Sequence, residues 1–265
     1  MSASRISTSG ADALRGAATA SRDASGAIAA TITVSVVSHA QRDLVQDLLA
    51  DLARLGRAGL DVIVTLNVAE EPPAVPPGLA VEIARNSARK GFGANHNAAF
   101  RRATGAIFCV LNPDIRLSAD PFGALVAELA DPRVGVAAPL VVDAAGEPED
   151  SARRFPSART LAAKLLGLAP RLDYPIATEA FSPDWVAGMF LAFRREVFAA
   201  VDGFDERYFL YYEDVDLCRR LRELGFDVRL VPGARVIHLA RRESRSSFRH
   251  LRWHLASVTR YLLSR

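Results

Sequence analysis

Between Thr31 and Leu111, short β-branched runs alternate with stretches of helical periodicity, and this alternation restricts the chain to few architectures. Thr31–Ser38 (TITVSVVS) is too short for a helix and suits a buried parallel strand. Asp43–Leu55 sets Leu44, Leu48, Leu49, Leu52 and Leu55 at helical spacing. Asp61–Leu66 reads as a second strand, Glu71–Gly78 as a Pro-rich surface loop and Val81–Ile83 as a short third strand. Asn95–Ala103 reads as a helix, and Ala106–Leu111 as a fourth strand ending at Asn112-Pro113-Asp114. The alternation predicts an α/β layer structure with a mainly parallel sheet. Such sheets bind ligands beyond the carboxyl ends of their strands, where Ser38, Asn67 and Asn112-Pro113-Asp114 fall.

The second half is less regular. Val134–Val142 and Val186–Phe193 read as strands, with an Arg- and Pro-containing segment between them. Asp214–Leu224 reads as a helix stopped by Gly225, and Asp227–Val231 as a strand ended by Pro232-Gly233. Phe248–Leu263 reads as a basic amphipathic helix with Leu251, Leu255, Val258 and Leu262 on one face.

With 265 residues, half of them apolar, the chain can build one large domain or one domain with an appendage. Residues 1–30, rich in Ala, Ser, Thr and Gly, lack the large apolar side chains that offset ordering entropy, so they read as a disordered extension. They also lack the apolar core of a secretory signal. No window reaches the roughly 18 apolar residues of a membrane span. Cys109 and Cys218 stand apart in apolar patterns and read as buried thiols of a reducing, cytoplasmic protein. The net charge is only +3, yet the last 25 residues hold seven Arg and one Glu. That tail reads either as a solvated helix face or as a contact for an anionic partner such as a lipid surface, a phosphate-bearing substrate or a nucleic acid. The division expected is therefore an extension (1–30), a catalytic domain (31–240) and a basic helix (241–265).

Gly203–Leu217 interleaves five acids with aromatics just ahead of a helix. A helix start stabilises one or two acids unaided. It gives no reason for flanking Glu213 and Asp214 with tyrosines, whose apolar rings raise a carboxylate's pKa toward that of a general base.

At this point the chain resembles the family-2 glycosyltransferases, in particular the rhamnosyltransferase-like branch of bacterial surface polysaccharide synthesis. The resemblance runs from Thr31 to Leu263 and rests on six segments in order. They are Val37-Ser38-His39, Asn86 through Asn97, Leu111-Asn112-Pro113-Asp114, Trp185 through Met189, Gly203 through Leu217, and Val236-Ile237-His238. It implies a GT-A fold, a Rossmann-like nucleotide-binding sandwich, and an inverting, metal-dependent transfer from a nucleotide-diphosphate sugar, with dTDP-rhamnose favoured. The acceptor implied is a glycan or lipid-linked glycan, at the cytoplasmic side with peripheral contact to an anionic membrane and no nucleic acid. By resemblance, Asp114 is the last acid of the metal-binding Asp-X-Asp motif, with Asn112 in place of the first, and His238 is a second ligand to Mn²⁺ or Mg²⁺. Asp214 matches the general base, and Glu213, Trp185 and Gly188 match the acceptor side. Ser38, Asn67, Gly91, Phe92, Gly93, Asn97 and Asn112 match the nucleotide-sugar side.

Two other readings compete. A nucleotidyltransferase would carry a Gly-rich basic junction after the first strand, where this chain has Ser38-His39-Ala40-Gln41-Arg42. A non-catalytic carbohydrate- or nucleic-acid-binding module would not need Glu213-Asp214 near a metal-binding acid.

Overall fold

The computed structural model describes residues 30–157, 160, 166–168, 170–239 and 248–264, so the N-terminal extension and the arginines of 241–247 lie outside the described residues. The first half folds as β1 (Ile32–Ser38), α1 (Arg42–Leu55), β2 (Leu60–Leu66), β3 (Ala80–Arg85), α2 (Phe92–Phe100) and β4 (Ile107–Leu111). Then follow β5 (Ile115–Arg116), α3 (Phe122–Leu129), β6 (Val134–Val142), β7 (Ala152–Arg153), β8 (Trp185–Val186) and β9 (Phe190–Arg194). The chain closes with α4 (Arg195–Ala200), α5 (Glu213–Glu223), β10 (Asp227–His238) and α6 (Phe248–Leu263).

One eight-stranded sheet, in the order β3-β2-β1-β4-β9-β6-β10-β5, divides the molecule into two cores. Strands β1 to β4 are mutually parallel, β9 runs against β4 and β6, and β5 runs against β10. Helices α1 and α3 cover one face through Leu48, Leu49, Leu125 and Leu129. Helices α2, α4 and α5 cover the other through Ala99, Phe198, Leu217 and Leu221. Burial on both faces is why β4 and β6 read as unbroken apolar runs, and why β1 breaks its run only with small Thr and Ser side chains.

Three expectations change. Helix α2 starts at Phe92 rather than Asn95, because the Phe92 N–H donates to the Phe209 carbonyl (2.9 Å) and Gly91 forms the extended cap. The single strand expected over Val186–Phe193 is two, in different sheets. Ala187 N–H donates to Ser151 (2.8 Å) and Gly188 N–H to the Asp214 carboxylate (2.9 Å), leaving Ala187–Met189 outside both ladders. Strand β10 passes through Pro232-Gly233 to His238, absorbing the proline in a register shift between Val231 and Arg235.

Helix α6 keeps its expected bounds. Leu251, Leu255 and Leu262 face solvent, while Val258 from the same predicted face packs half-buried on the core beside the buried Ser257 and Tyr261. Ser257 Oγ donates to the Leu210 carbonyl (2.9 Å), and Tyr261 lies 5.5 Å from the ring of Tyr212.

Candidate active site

Two acidic centres meet at the carboxyl ends of the strands. The first follows from sheet register. Antiparallel pairing of β5 with β10 sets His238 opposite Ile115, and so beside Asp114 at the exit of β4. His238 Nε2 lies 3.3 Å from Asp114 Oδ2, and its Nδ1 lies 2.8 Å from Glu149 Oε2. Burial alone would lower the pKa of His238, but the two carboxylates outweigh it and hold it at about 9. Asp114 Oδ1 is buried without a hydrogen-bond partner. An unused carboxylate oxygen, an imidazole and a second carboxylate orienting that imidazole fit a hard divalent cation. Among the described residues no group of three or more His, Cys, Asp or Glu could hold an ion alone.

The second centre lies among aromatic rings. Tyr211 and Tyr212 precede α5 with φ of +71° and +68°, the left-handed region that bulky side chains rarely adopt. Helix α6 holds them there: Tyr211 Oη lies 2.9 Å from His250 Nδ1, and the His254 ring packs on both tyrosines. The turn they form buries Glu213 and leaves Asp214 half-buried at the start of α5. Asp214 Oδ2 accepts the Gly188 N–H (2.9 Å) and Oδ1 accepts the Val215 N–H (2.8 Å). Burial raises the Asp214 pKa, while these N–H groups and the nearby charge of Arg153 pull it back. Burial and the adjacent Asp214 raise Glu213 well above the carboxylate range, and its Oε2 is buried without a partner. Asp216 turns away from this centre to pair with Arg219 and Arg220 at 2.9 and 2.7 Å.

A short backbone link joins the centres. Asn112 N–H donates to the Met189 carbonyl (2.9 Å), and the preceding residue, Gly188, holds Asp214. A Cβ on Gly188 would lie 3.5 Å from both Asp214 Oδ2 and the Phe92 ring, directly against the carboxylate.

Other expected site residues are already engaged. Ser38 Oγ donates to Glu70 (2.8 Å). The Asn67 amide donates to the Lys90 carbonyl (3.0 Å) and accepts from Lys90 N–H and Asn86, pinning the 86–91 loop to the sheet. Asn97 exchanges hydrogen bonds with the Phe204 backbone at 2.8 and 2.9 Å. The close approach at Gly91 and Gly93 is made by Phe209 and Phe204, not by open space for a donor: a Cβ on either glycine would come within 2.5 Å of them. Phe92 packs edge-on against His96 and Phe204. Trp185 is buried, donates its indole N–H to the Arg154 carbonyl (2.9 Å) and carries the Arg153 guanidinium 5.4 Å from its ring, so that face is no open sugar platform.

Sequence reasoning passed over Glu149, Arg153 and Glu70. Glu149 and Arg153 lie in the irregular segment after β6, where no periodicity marks a side chain's direction. Glu70 carried one available signal, its place just past the end of β2.

Comparison with known proteins gives the family and the fold. The sequence profile described as "Glycosyltransferase like family 2" matches residues 29–256. Rhamnosyltransferase WbbL of Escherichia coli is 34% identical over 184 residues, which are 65% of this chain and 70% of that protein. The N-acetylglucosaminyl-diphospho-decaprenol L-rhamnosyltransferase of Mycobacterium tuberculosis is 37% identical over 167 residues, 59% of this chain and 54% of that protein. The mannosyltransferase PcManGT from Pyrobaculum calidifontis, solved with GDP-Man and Mn²⁺, superposes with a TM-score of 0.59 at 19% identity, covering 96% of this chain and 70% of that one. GalNAc-T7, solved with UDP, GalNAc and Mn²⁺, gives 0.59 at 16% identity, over 81% and 44%. At such identities the structural likeness establishes the GT-A fold.

Proposed function

The chain belongs to the glycosyltransferase-like family 2, and from that premise we propose that it moves a sugar from a nucleotide-diphosphate donor to a glycan or lipid-linked acceptor, inverting the anomeric centre. One observation carries the reading. A half-buried carboxylate held by backbone N–H groups, Asp214, is joined through Gly188-Met189 to an Asp–His pair suited to a diphosphate-bound cation.

In this reaction the acceptor hydroxyl oxygen attacks the anomeric carbon from the face opposite the diphosphate, and Asp214 takes the hydroxyl proton. The Gly188 and Val215 N–H groups fix the direction of the carboxylate, and Arg153 helps keep it ionised for that step. Gly188 leaves room beside it for the acceptor. Glu213 offers its unpartnered oxygen to an acceptor hydroxyl, and Trp185 acts by supporting Arg153. Asp114 and His238, the imidazole giving up its proton to the solvent on binding, would hold Mn²⁺ or Mg²⁺ against the donor phosphates, and the ion would neutralise charge on the departing diphosphate. Ser38 with Glu70 bounds the nucleotide end, while Asn67 and Asn97 shape it by fixing the loops around it.

The donor proposed is dTDP-rhamnose and the acceptor a lipid-linked glycan of surface polysaccharide; the relatives' names supply the rhamnosyl group and the lipid-diphosphate acceptor, and the family resemblance supplies the nucleotide and the polysaccharide. The two buried, unpaired thiols suit a reducing cytoplasm. Thermal shift across a nucleotide-sugar panel with Mn²⁺, followed by product analysis, tests the whole reading. A stabilising donor that is transferred with inversion supports it, and no stabilisation by any nucleotide sugar, with no transfer, sinks it.

A further inference from the structure

Helix α6 is polarised the wrong way round for an element that only completes its own domain. Its inward face is mainly polar and aromatic: Ser257 is 5% exposed and Tyr261 1%, with His254 against Tyr211 and Tyr212 and Val258 as its half-buried aliphatic contact with the core. Its outward flank carries Leu251, Leu255, Leu262 and Leu263, exposed by 54, 57, 37 and 80%. Leucines at this spacing form one stripe along about three turns. Arg252 is exposed beside the stripe, and Arg241, Arg242, Arg245, Arg249 and Arg265 flank it in sequence with a single acid, Glu243.

We propose that the outward leucine stripe of α6 docks on an anionic bilayer. Exposed leucines seek an apolar medium, and the arginines around them seek negative charge; an acidic lipid surface offers both within a few ångströms. A second copy of the chain fits less well. An isologous pairing would set arginine against arginine, and one helix flank is far smaller than the roughly 800 Å² per partner of a stable interface. No helix among the described residues is long and apolar enough to cross a membrane, so the contact lies in the interface plane. The inward face of the same helix grips Leu210–Tyr212, next to Glu213 and Asp214. Docking α6 therefore brings the acceptor side of the site to the lipid surface, which rests on the proposed lipid-linked acceptor; the docking itself does not.

Co-sedimentation of the full chain with vesicles tests it, comparing phosphatidylcholine alone with phosphatidylcholine mixed with phosphatidylglycerol. Binding is expected only to the anionic vesicles and is reversed by high salt. The double variant Leu251→Ser/Leu255→Ser should weaken partitioning by about tenfold or more, and Arg252→Glu by a few-fold. Both changes are at exposed positions, so the melting temperature and transfer to a soluble acceptor should stay as in the parent. Absence of binding to anionic vesicles at low salt overturns the proposal, as does undiminished binding by the leucine variant. A stripe-dependent dimer in sedimentation equilibrium without vesicle binding also overturns it, in favour of a second copy. Vesicle binding by a protein that transfers no sugar would leave this docking standing while removing the proposed function.

Discussion

The two acidic centres solve opposite problems. Asp114 has a cationic partner, His238, and the register of β5 on β10 holds the pair in place. Glu213 and Asp214 crowd two carboxyls into an aromatic shell, with backbone N–H groups and the more distant Arg153 as their relief. The first arrangement favours positive charge, and the second favours a proton. A donor that leaves as an anionic diphosphate and an acceptor that must lose a proton need these two environments side by side, and the Gly188-Met189 link supplies the adjacency. The comparison breaks if the centres prove interchangeable in their effects on binding and turnover.

Asp214→Asn is the sharpest way to break it. The amide keeps the shape but cannot accept the proton, so transfer should fall by ~10²–10⁴-fold, while calorimetry shows near-normal donor affinity. Turnover close to the parent's would remove the base from this position. At the other centre, Asp114→Ala should abolish the metal-dependent part of donor binding, and His238→Ala should weaken it less. Titrating nucleotide-sugar with and without Mn²⁺ reads this directly, and an unchanged metal dependence in Asp114→Ala would end the assignment.

Legibility followed the range of the interactions. Strands β1 to β4 and helix α1 were readable because local periodicity decides them, and the order of their ends pointed to Ser38, Asn67 and Asp114. The second half depends on distant partners. Nothing near Gly188 shows that its N–H serves Asp214, and nothing near Pro232 shows that β6 carries β10 past it. The spacing of Leu251, Leu255 and Leu262 revealed a stripe but not the side the domain covers, because tyrosines forty residues earlier claim the opposite face. Asn97 and the glycines at 91 and 93 looked like donor contacts because small and amide residues suit that role; their partners are Phe204 and Phe209.

Arg153 gives a finer test, on pH. Its charge opposes the burial that raises the Asp214 pKa, and Asp214 works as the carboxylate. Activity should therefore fall on acidification through a pKa above the ordinary carboxylate range. Arg153→Ala should move that acidic limb to higher pH and cost a few-fold in turnover at neutral pH. Arg153→Lys should restore part of the shift. A limb that stays in place would show that Arg153 only packs on Trp185.

The smallest expected effect is on stability, through Glu213. Its folded-state pKa lies above the unfolded one, so the folded protein holds the proton more tightly than the unfolded chain. The stability this contributes is complete below the ordinary glutamate pKa and is lost as pH rises through the raised folded value. Above that value an ionised carboxylate sits buried beside Asp214 with one oxygen unpartnered. Glu213→Gln is neutral at every pH and nearly the same size, so it should stabilise the protein by about 1 kcal/mol at the alkaline end of the range and by nothing in acid. Melting curves across pH decide this, because a mere packing change would shift the melting temperature equally throughout. The Asp114 centre supplies the contrast: its pairing with His238 stabilises the fold while the imidazole is charged and fades as pH rises through about 9, so Asp114→Asn should destabilise below that value rather than stabilise above it. If Asp114→Asn and Glu213→Gln move the melting temperature in the same direction at every pH, the distinction between a charge-holding and a proton-holding centre fails.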